Sequence, residues 1–160
     1  MKFKVGIGYD VHRLEAGEHL VLGGVDVPSP LSSVGHSDAD CLIHAIIDAL
    51  LGAANLRDIG FQYPDSKAEY KGIDSKRLLR DSFEKVRNKG FSIENIDATV
   101  CLQSPKIGKY IEEMKQTLSA ILDLDTEGIS IKATTTEKLG FVGKSEGIAA
   151  YAVCLLSKEK

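Results

Sequence analysis

The sequence has no closely spaced pair of cysteines, no basic run and no apolar stretch approaching the length of a membrane span. Its three cysteines, Cys41, Cys101 and Cys154, are far apart and each sits in an apolar run. An odd, scattered set argues against a disulfide framework or a cysteine-based zinc site, and for reduced, buried thiols. The absence of a basic run, with a net charge of −3, gives no reason to expect nucleic acid as a partner. A small anion stays open, because local charge rather than the total holds a phosphate. Without a long apolar run there is no candidate membrane helix, and the N-terminus opens on a strand-like pattern rather than a targeting segment. The expectation is a cytoplasmic protein with no membrane partner.

What is present suits one globular domain over residues 1–160, with 43% hydrophobic and 27% charged residues. A chain of this length buries roughly two-thirds of its unfolded surface. "KFKVGIGYDV" and "HLVLGGVDVP" read as strands, the second broken by a Gly pair that marks a turn or bulge. Residues 38–54 carry a wide apolar stripe (Leu42, Ile43, Ala45, Ile46, Ala49, Leu50) and read as a helix that Asp38 can cap. The following stretch, with Gly60, Pro64 and Gly72, reads as a long loop, which in a compact domain is more often functional than idle. A second helix runs from Asp74 to a Gly90 C-cap, a third over 108–123. "FSIENIDATVCLQ", "GISIKATTTE" and "GIAAYAVCLLSK" are strands, the last two separated by the turn "KLGFVGKSEG". With no strict βαβ repeat, the fold class is α+β, a sheet with helices packed on one face.

Asp10 and His12, two apart on the first strand, project from one face. His44, in the apolar stripe of the first helix, would complete a His2Asp set if that helix packs on the sheet. Zinc accepts imidazole and carboxylate, and three protein ligands leave a fourth position open, as catalytic sites require. From spacing alone, three unrelated polar residues account for the pattern more readily than a metal set. Asp40 and Asp48 flank His44 one turn either side; they can orient an imidazole, Asp40 can bind substrate, or both can be solvated. His36 and Ser37 precede a helix N-terminus, which favours an anion. "DIGFQYPD" suits hydroxyls or a second cation, and "TTTE" gathers three hydroxyls and a carboxylate at a strand end. Each has a plain alternative: a capped helix, a solvated loop, threonines chosen for β-propensity.

Taken together, "GIGYDVHRL", "LGGV", "HSDADCLIHAIIDALLGAANLRDIG", "YPD", "YKGIDS" and "IKATTTEKLGFVGKSEGIA" resemble, in order and over nearly the whole chain, the 2-C-methyl-D-erythritol 2,4-cyclodiphosphate synthases. The resemblance implies conversion of 4-diphosphocytidyl-2-C-methyl-D-erythritol 2-phosphate into the cyclic diphosphate with release of CMP, in the non-mevalonate isoprenoid pathway. It implies a homotrimer with active sites between subunits, and one zinc per subunit held by Asp10, His12 and His44. His36 and Ser37 would contact the methylerythritol phosphate end, Asp10, Val11 and His12 would also bind substrate, and Asp58, Ile59, Gly60 and the loop Tyr63, Pro64, Asp65, Ser66 and Lys67 would line the sugar-alcohol pocket. Leu102, Gln103, Ser104, Pro105, Lys106, Ile107 and Gly108, with Thr134, Thr135, Thr136 and Glu137, would hold the cytidine diphosphate end. His36 and Thr135 are the implied transition-state stabilisers, and Glu137 the implied ligand of a magnesium or manganese ion bridging the phosphates. Phe141 and Lys144 are further implied contacts.

Two departures from the family pattern stand out. Tyr63 replaces a more usual Phe, a change expected to be harmless. Lys144 replaces a more usual Arg at a position linked to a prenyl-diphosphate cavity on the trimer axis, and loses the fork that grips phosphate at two points. The implied reaction is an intramolecular phosphoryl transfer whose attacking oxygen is already anionic, so positioning and charge neutralisation matter more than a strong base. Two other classes fit the same residues: a metal-dependent phosphohydrolase making an open-chain product, and a non-catalytic nucleotide-binding module.

Overall fold

The first strand inverts the usual amphipathic order. In a computed structural model describing residues 1–159, β1 (Lys2–Ala16) turns Phe3, Val5, Ile7, Tyr9 and Val11 outward and Gly6, Gly8, Asp10, His12 and Leu14 toward the helices. Two short strands, β2 (His19–Leu22) and β3 (Val25–Pro28), form the "HLVLGGVDVP" hairpin. Gly23 and Gly24 both have positive φ, 57° and 74°, as a two-residue hairpin turn requires. β4 (Leu31–Val34), an edge strand with no periodic signal, pairs back onto β1.

Helix α1 (Cys41–Ala53) is shorter than the 38–54 stripe and is capped by Asp40, not Asp38. The reason is Ala39, whose φ of 56° breaks helical geometry between the two acids. The region expected as one long loop contains α2 (Ile59–Gln62) and a 3₁₀ turn at Ala68–Tyr70. Helix α3 (Ser75–Asn88) follows with Asp74 as its N-cap, and Gly90 just beyond it has the left-handed φ of 81°. The expected third helix begins as a 3₁₀ turn, Gly108–Tyr110, before α4 (Ile111–Leu122), and the "KLGFVGKSEG" turn holds α5 (Gly140–Gly143).

Strands β5 (Ser92–Cys101), β6 (Ile129–Thr134) and β7 (Gly147–Lys158) complete a sheet of order β4-β1-β7-β5-β6. Every pair is antiparallel except β5 with β6. Helices α1 and α4 pack on this sheet and α3 packs against both of them, while the opposite face of β1 and β7 stays exposed, the arrangement expected of the α+β class. Leu42, Ile43, Ile46, Ile47, Leu50 and Leu51 of α1 are fully buried, each such side chain contributing roughly 1.5–3 kcal/mol. Cys41 and Cys154 are buried free thiols as expected, whereas Cys101 is half-buried.

Close approach of α1 to β1 depends on two glycines. A Cβ on Gly6 would lie 2.0 Å from the Ala49 carbonyl oxygen, and one on Gly8 only 1.8 Å from that of Ala45. Backbone therefore meets backbone, and the residue preceding Ala45 is His44.

Candidate metal centre and binding cavity

Alternation on β1 and the glycine-permitted approach of α1 bring Asp10, His12 and His44 together. Asp10 Oδ2 lies 2.9 Å from His12 Nε2 and 3.3 Å from His44 Nδ1, and the two nitrogens are 3.2 Å apart. Val34, at the end of β4, accepts a hydrogen bond from His12 Nδ1 at 3.0 Å. A carbonyl can only accept, so the neutral ring presents a bare Nε2 to Asp10. Asp10 Oδ2 is accordingly a buried oxygen without a donor. A proton or a cation has to fill the gap between these electron pairs.

A proton is the first solution. Burial would raise Asp10, but hydrogen bonds to His12 and His44 outweigh it and hold the carboxyl at about 2. Burial likewise lowers His12, and the bond to Asp10 overcomes it and raises the imidazole above its ordinary 6.5. The cation solution fits equally well. A tetrahedral ion with bonds of about 2.0–2.1 Å needs ligand edges of about 3.3–3.4 Å, close to the three separations present. Imidazole and carboxylate are ligands zinc takes, and three of them leave a coordination position open.

The acids on either side of His44 do other work. Asp40 is fully buried and accepts from the amides of Ile43, Gly23 and Gly24 at 2.9, 3.0 and 2.7 Å. It caps α1 and ties the β2–β3 turn to it. Asp48 accepts from the Ile59 amide at 2.7 Å and so fastens α2 to α1. Neither side chain bonds an imidazole, and neither is freely solvated; their spacing on the helix did not reveal the backbone donors they meet.

The trio opens on a cavity of about 200 Å³. His36, Ser37, Ile59, Gly60, Tyr63 and Asp65 line it, all expected at the methylerythritol phosphate end, together with Tyr70, Ile73 and Leu78, which the sequence reading missed. His36 Nε2 is buried and has no hydrogen-bond partner. Asp58, Pro64, Ser66, Lys67 and Val11 do not line this cavity among the described residues. Asp58 instead caps α2, accepting from Phe61 N at 3.1 Å. Tyr63 is not a neutral exchange for Phe. Its hydroxyl bonds Asp81 Oδ2 and Ser82 Oγ, each at 2.7 Å, tethering the cavity loop to α3.

A second cavity, of about 340 Å³, is lined by Leu102, Gln103, Pro105, Lys106, Ile107 and Gly108, with Ala133, Thr134 and Thr135. The Leu102 amide donates to the Thr134 carbonyl at 3.0 Å, locking the two segments side by side. Ser104, Thr136 and Glu137 border it in sequence without lining it. Glu137 is exposed, with a left-handed φ of 53° that costs roughly 1–2 kcal/mol; such strain clusters at binding sites. Among the described residues none lines both cavities. Phe141 borders a third, with Arg13, Leu14 and Glu146, while Lys144 is the exposed C-cap of α5.

Sequence reading also missed Ser75 and the true place of Asp38. His44 Nε2 lies 2.8 Å from Ser75 Oγ and 3.2 Å from Ser37 Oγ, and Asp38 accepts from Ser75 N at 3.0 Å. Nothing in the periodicity links residues 37 positions apart.

Over 99% of this chain and 98% of its own length, the Parabacteroides distasonis 2-C-methyl-D-erythritol 2,4-cyclodiphosphate synthase is 56% identical. The solved CDP complex of Plasmodium falciparum IspF superposes with a TM-score of 0.87 at 32% identity, covering 99% of this chain and 97% of that one. The bifunctional IspDF of Campylobacter jejuni superposes at 0.95 with 42% identity over 99% of this chain, which spans 43% of that longer protein. The sequence profile of the YgbB family matches residues 3–157, and the chain belongs to that family.

Proposed function

We propose that the chain converts 4-diphosphocytidyl-2-C-methyl-D-erythritol 2-phosphate into 2-C-methyl-D-erythritol 2,4-cyclodiphosphate and CMP, as a phosphorus–oxygen lyase of the non-mevalonate isoprenoid pathway in the cytoplasm. The observation that carries this reading is the Asp10–His12–His44 trio facing a cavity beside the unpartnered His36 Nε2. The names of its relatives, and the CDP bound by the Plasmodium protein, point the same way.

In this reaction the 2-phosphate oxygen bonds to the β-phosphorus, the bond from that phosphorus to the α-phosphate oxygen breaks, and CMP departs. The chain's part is to hold two anions in line against their repulsion. Asp10, His12 and His44 would hold zinc, and Glu137 a magnesium or manganese ion. Bound there, the cations would supply positive charge that polarises the β-phosphate. His36 and Ser37 fix the methylerythritol phosphate end, Ile59, Gly60, Tyr63 and Asp65 line its pocket, and Thr135 donates to the developing charge. Leu102 to Gly108 and Thr134 to Glu137 receive the cytidine diphosphate.

Assembly as a homotrimer with shared sites has two supports. The outer sheet face exposes Phe3, Val5, Ile7, Tyr9, Val11, Tyr151 and Val153, with Val5 and Ile7 at 70% and 71%, a patch suited to burial against other copies. β1 and β6 are also three strand steps apart, roughly 14 Å at the usual spacing. A β-phosphate held at Asp10, His12 and His44 would lie out of reach of Thr135 across such a span, which supports a neighbouring copy supplying the second half.

The test is phosphorus NMR of the product made by purified protein with substrate, zinc and magnesium. The cyclic diphosphate with one equivalent of CMP is expected. An open-chain product means a phosphohydrolase, and CDP affinity indifferent to zinc removal, without turnover, means a binding module.

A further inference from the structure

We infer that Asp38 and Ser75 form a hydrogen-bond relay that fixes the tautomer and ring orientation of His44, making Ser75 a positioning residue for the metal centre; this deepens the zinc reading above and rests on it. Ser75 is the first residue of α3 and fully buried, so water cannot stand in for its partners. Its amide donates to Asp38 Oδ2 at 3.0 Å, and its hydroxyl makes a short bond to Asp38 Oδ1. An ionised carboxylate only accepts, so the single hydroxyl hydrogen of Ser75 belongs to Asp38.

What remains on Ser75 Oγ is a lone pair, and 2.8 Å away is His44 Nε2. That nitrogen must therefore carry the ring hydrogen, which leaves Nδ1 bare and aimed at Asp10, 3.3 Å away. Carboxylates that bond the far nitrogen of a metal-binding histidine set its tautomer and strengthen it as a ligand; here one hydroxyl is inserted in the chain. Ser37 Oγ also approaches Nε2, but at the longer 3.2 Å and from the cavity wall, where a bound phosphate can claim it. The relay also has a second anchor. The Asp38 amide donates to the Ile73 carbonyl at 3.2 Å, and the Gly72 amide to that of His36 at 2.8 Å. The end of the cavity loop and the anion-facing turn are thus joined at the point where Ser75 meets His44.

Zinc-free protein labelled with 15N at histidine provides the direct test, under conditions where the imidazoles are neutral. His44 is expected as the Nε2–H tautomer, and a predominant Nδ1–H form overturns the relay without any variant. Zinc affinity, read by chelator competition, should fall about ten- to hundredfold in Ser75→Ala, with His44 becoming a tautomer mixture. Asp38→Asn, which keeps an acceptor but loses the charge, should show a smaller loss in the same direction. A folded Ser75→Ala protein with unchanged zinc affinity and unchanged tautomer refutes the proposal. Should that variant fail to fold, the wild-type tautomer and the Asp38→Asn affinity decide. If wild-type protein itself takes up no zinc, the metal reading fails, and the tautomer still decides the relay by itself.

Discussion

Replacing Gly8 with alanine tests whether a backbone contact sets the metal geometry. Ordinary van der Waals contact begins at 3.4 Å, and the new Cβ would sit 1.8 Å from the Ala45 oxygen. Strand and helix must then separate by about 1.6 Å, because both partners are close-packed backbone rather than yielding side-chain ends. His44 is adjacent to Ala45 and carries nearly the whole shift. Metal sites tolerate ligand displacements of about 0.2 Å, so zinc should be lost from a protein that still folds. Overpacking of this kind costs roughly 1–3 kcal/mol, which in a chain of this size lowers the melting temperature by roughly 2–12 °C. Gly52→Ala is the control: its Cβ meets nothing within 4 Å on the exposed side of the same helix. It should stabilise by about 0.5–1 kcal/mol and keep zinc. Elemental analysis and thermal melts of both proteins give the answer. A Gly8→Ala protein with stoichiometric zinc and a wild-type melt would show that the close approach does not set the site.

Glu137→Gln should keep zinc but weaken the response of the rate to magnesium, since it removes a formal charge from a hard-cation ligand; an unchanged magnesium titration excludes that role. Tyr63→Phe removes the hydroxyl bonds to Asp81 and Ser82 at a cost of about 1 kcal/mol, and is expected to raise KM more than it lowers kcat, because the ring still lines the cavity; equal parameters for both proteins would make the tether irrelevant. The Asp10–His12 pair makes metal-free protein pH-sensitive with a definite sign. Asp10, lowered from 3.8 to about 2, contributes stability above pH 3.8 that is lost as pH falls through about 2. His12, raised from 6.5, contributes stability below pH 6.5 that is lost as pH rises through its elevated value. Thermal melts without metal should therefore show the pair's contribution greatest between about 3.8 and 6.5 and absent in His12→Gln; a wild-type profile parallel to that of His12→Gln contradicts it. Co-expressing inactive Asp10→Ala with inactive Thr135→Ala should regenerate some intact shared sites, and mixed assemblies confirmed by mass spectrometry with no activity above either parent would sink the shared-site reading.

Periodicity made most of the fold legible. The strands at 92–101, 129–134 and 147–158 and the helix from Ser75 follow alternation, apolar stripes and caps that act within a few residues. The pairing of Asp10 with His12 was legible for the same reason, since two residues apart on a strand share a face. What escaped depends on contacts formed only in three dimensions. Asp38 looked like a helix cap because its type and position suit one; the left-handed Ala39 handed that task to Asp40 and released Asp38 to reach Ser75. Tyr63 looked interchangeable with Phe because the partners of its hydroxyl lie 18 and 19 residues away on α3. The expectation that His44 is a ligand came from the resemblance; spacing favoured unrelated polar residues, and the contact between Gly8 and Ala45 explains how a core helix delivers it to Asp10.

Charge gives the reason for one carboxylate and two imidazoles rather than some other trio. Among the described residues, the cavity beside the metal ligands is lined by Asp10 and Asp65 and by no lysine or arginine. A phosphate entering it without a cation meets like charge, worth about 4 kcal/mol per pair at 4 Å and an effective dielectric of 20. Asp38, Asp40 and Asp48 do not change the ligand count, because each carboxylate already accepts from backbone amides. A divalent ion on Asp10 and two neutral histidines leaves a net charge of about +1 at its open position. Two carboxylates would cancel it, and three would reverse it. On the proposed reading, two imidazole ligands would preserve the ion's charge for the phosphate, and the groups that aim His12 and His44 inward, from Val34 to Ser75, would act on substrate affinity through that sign.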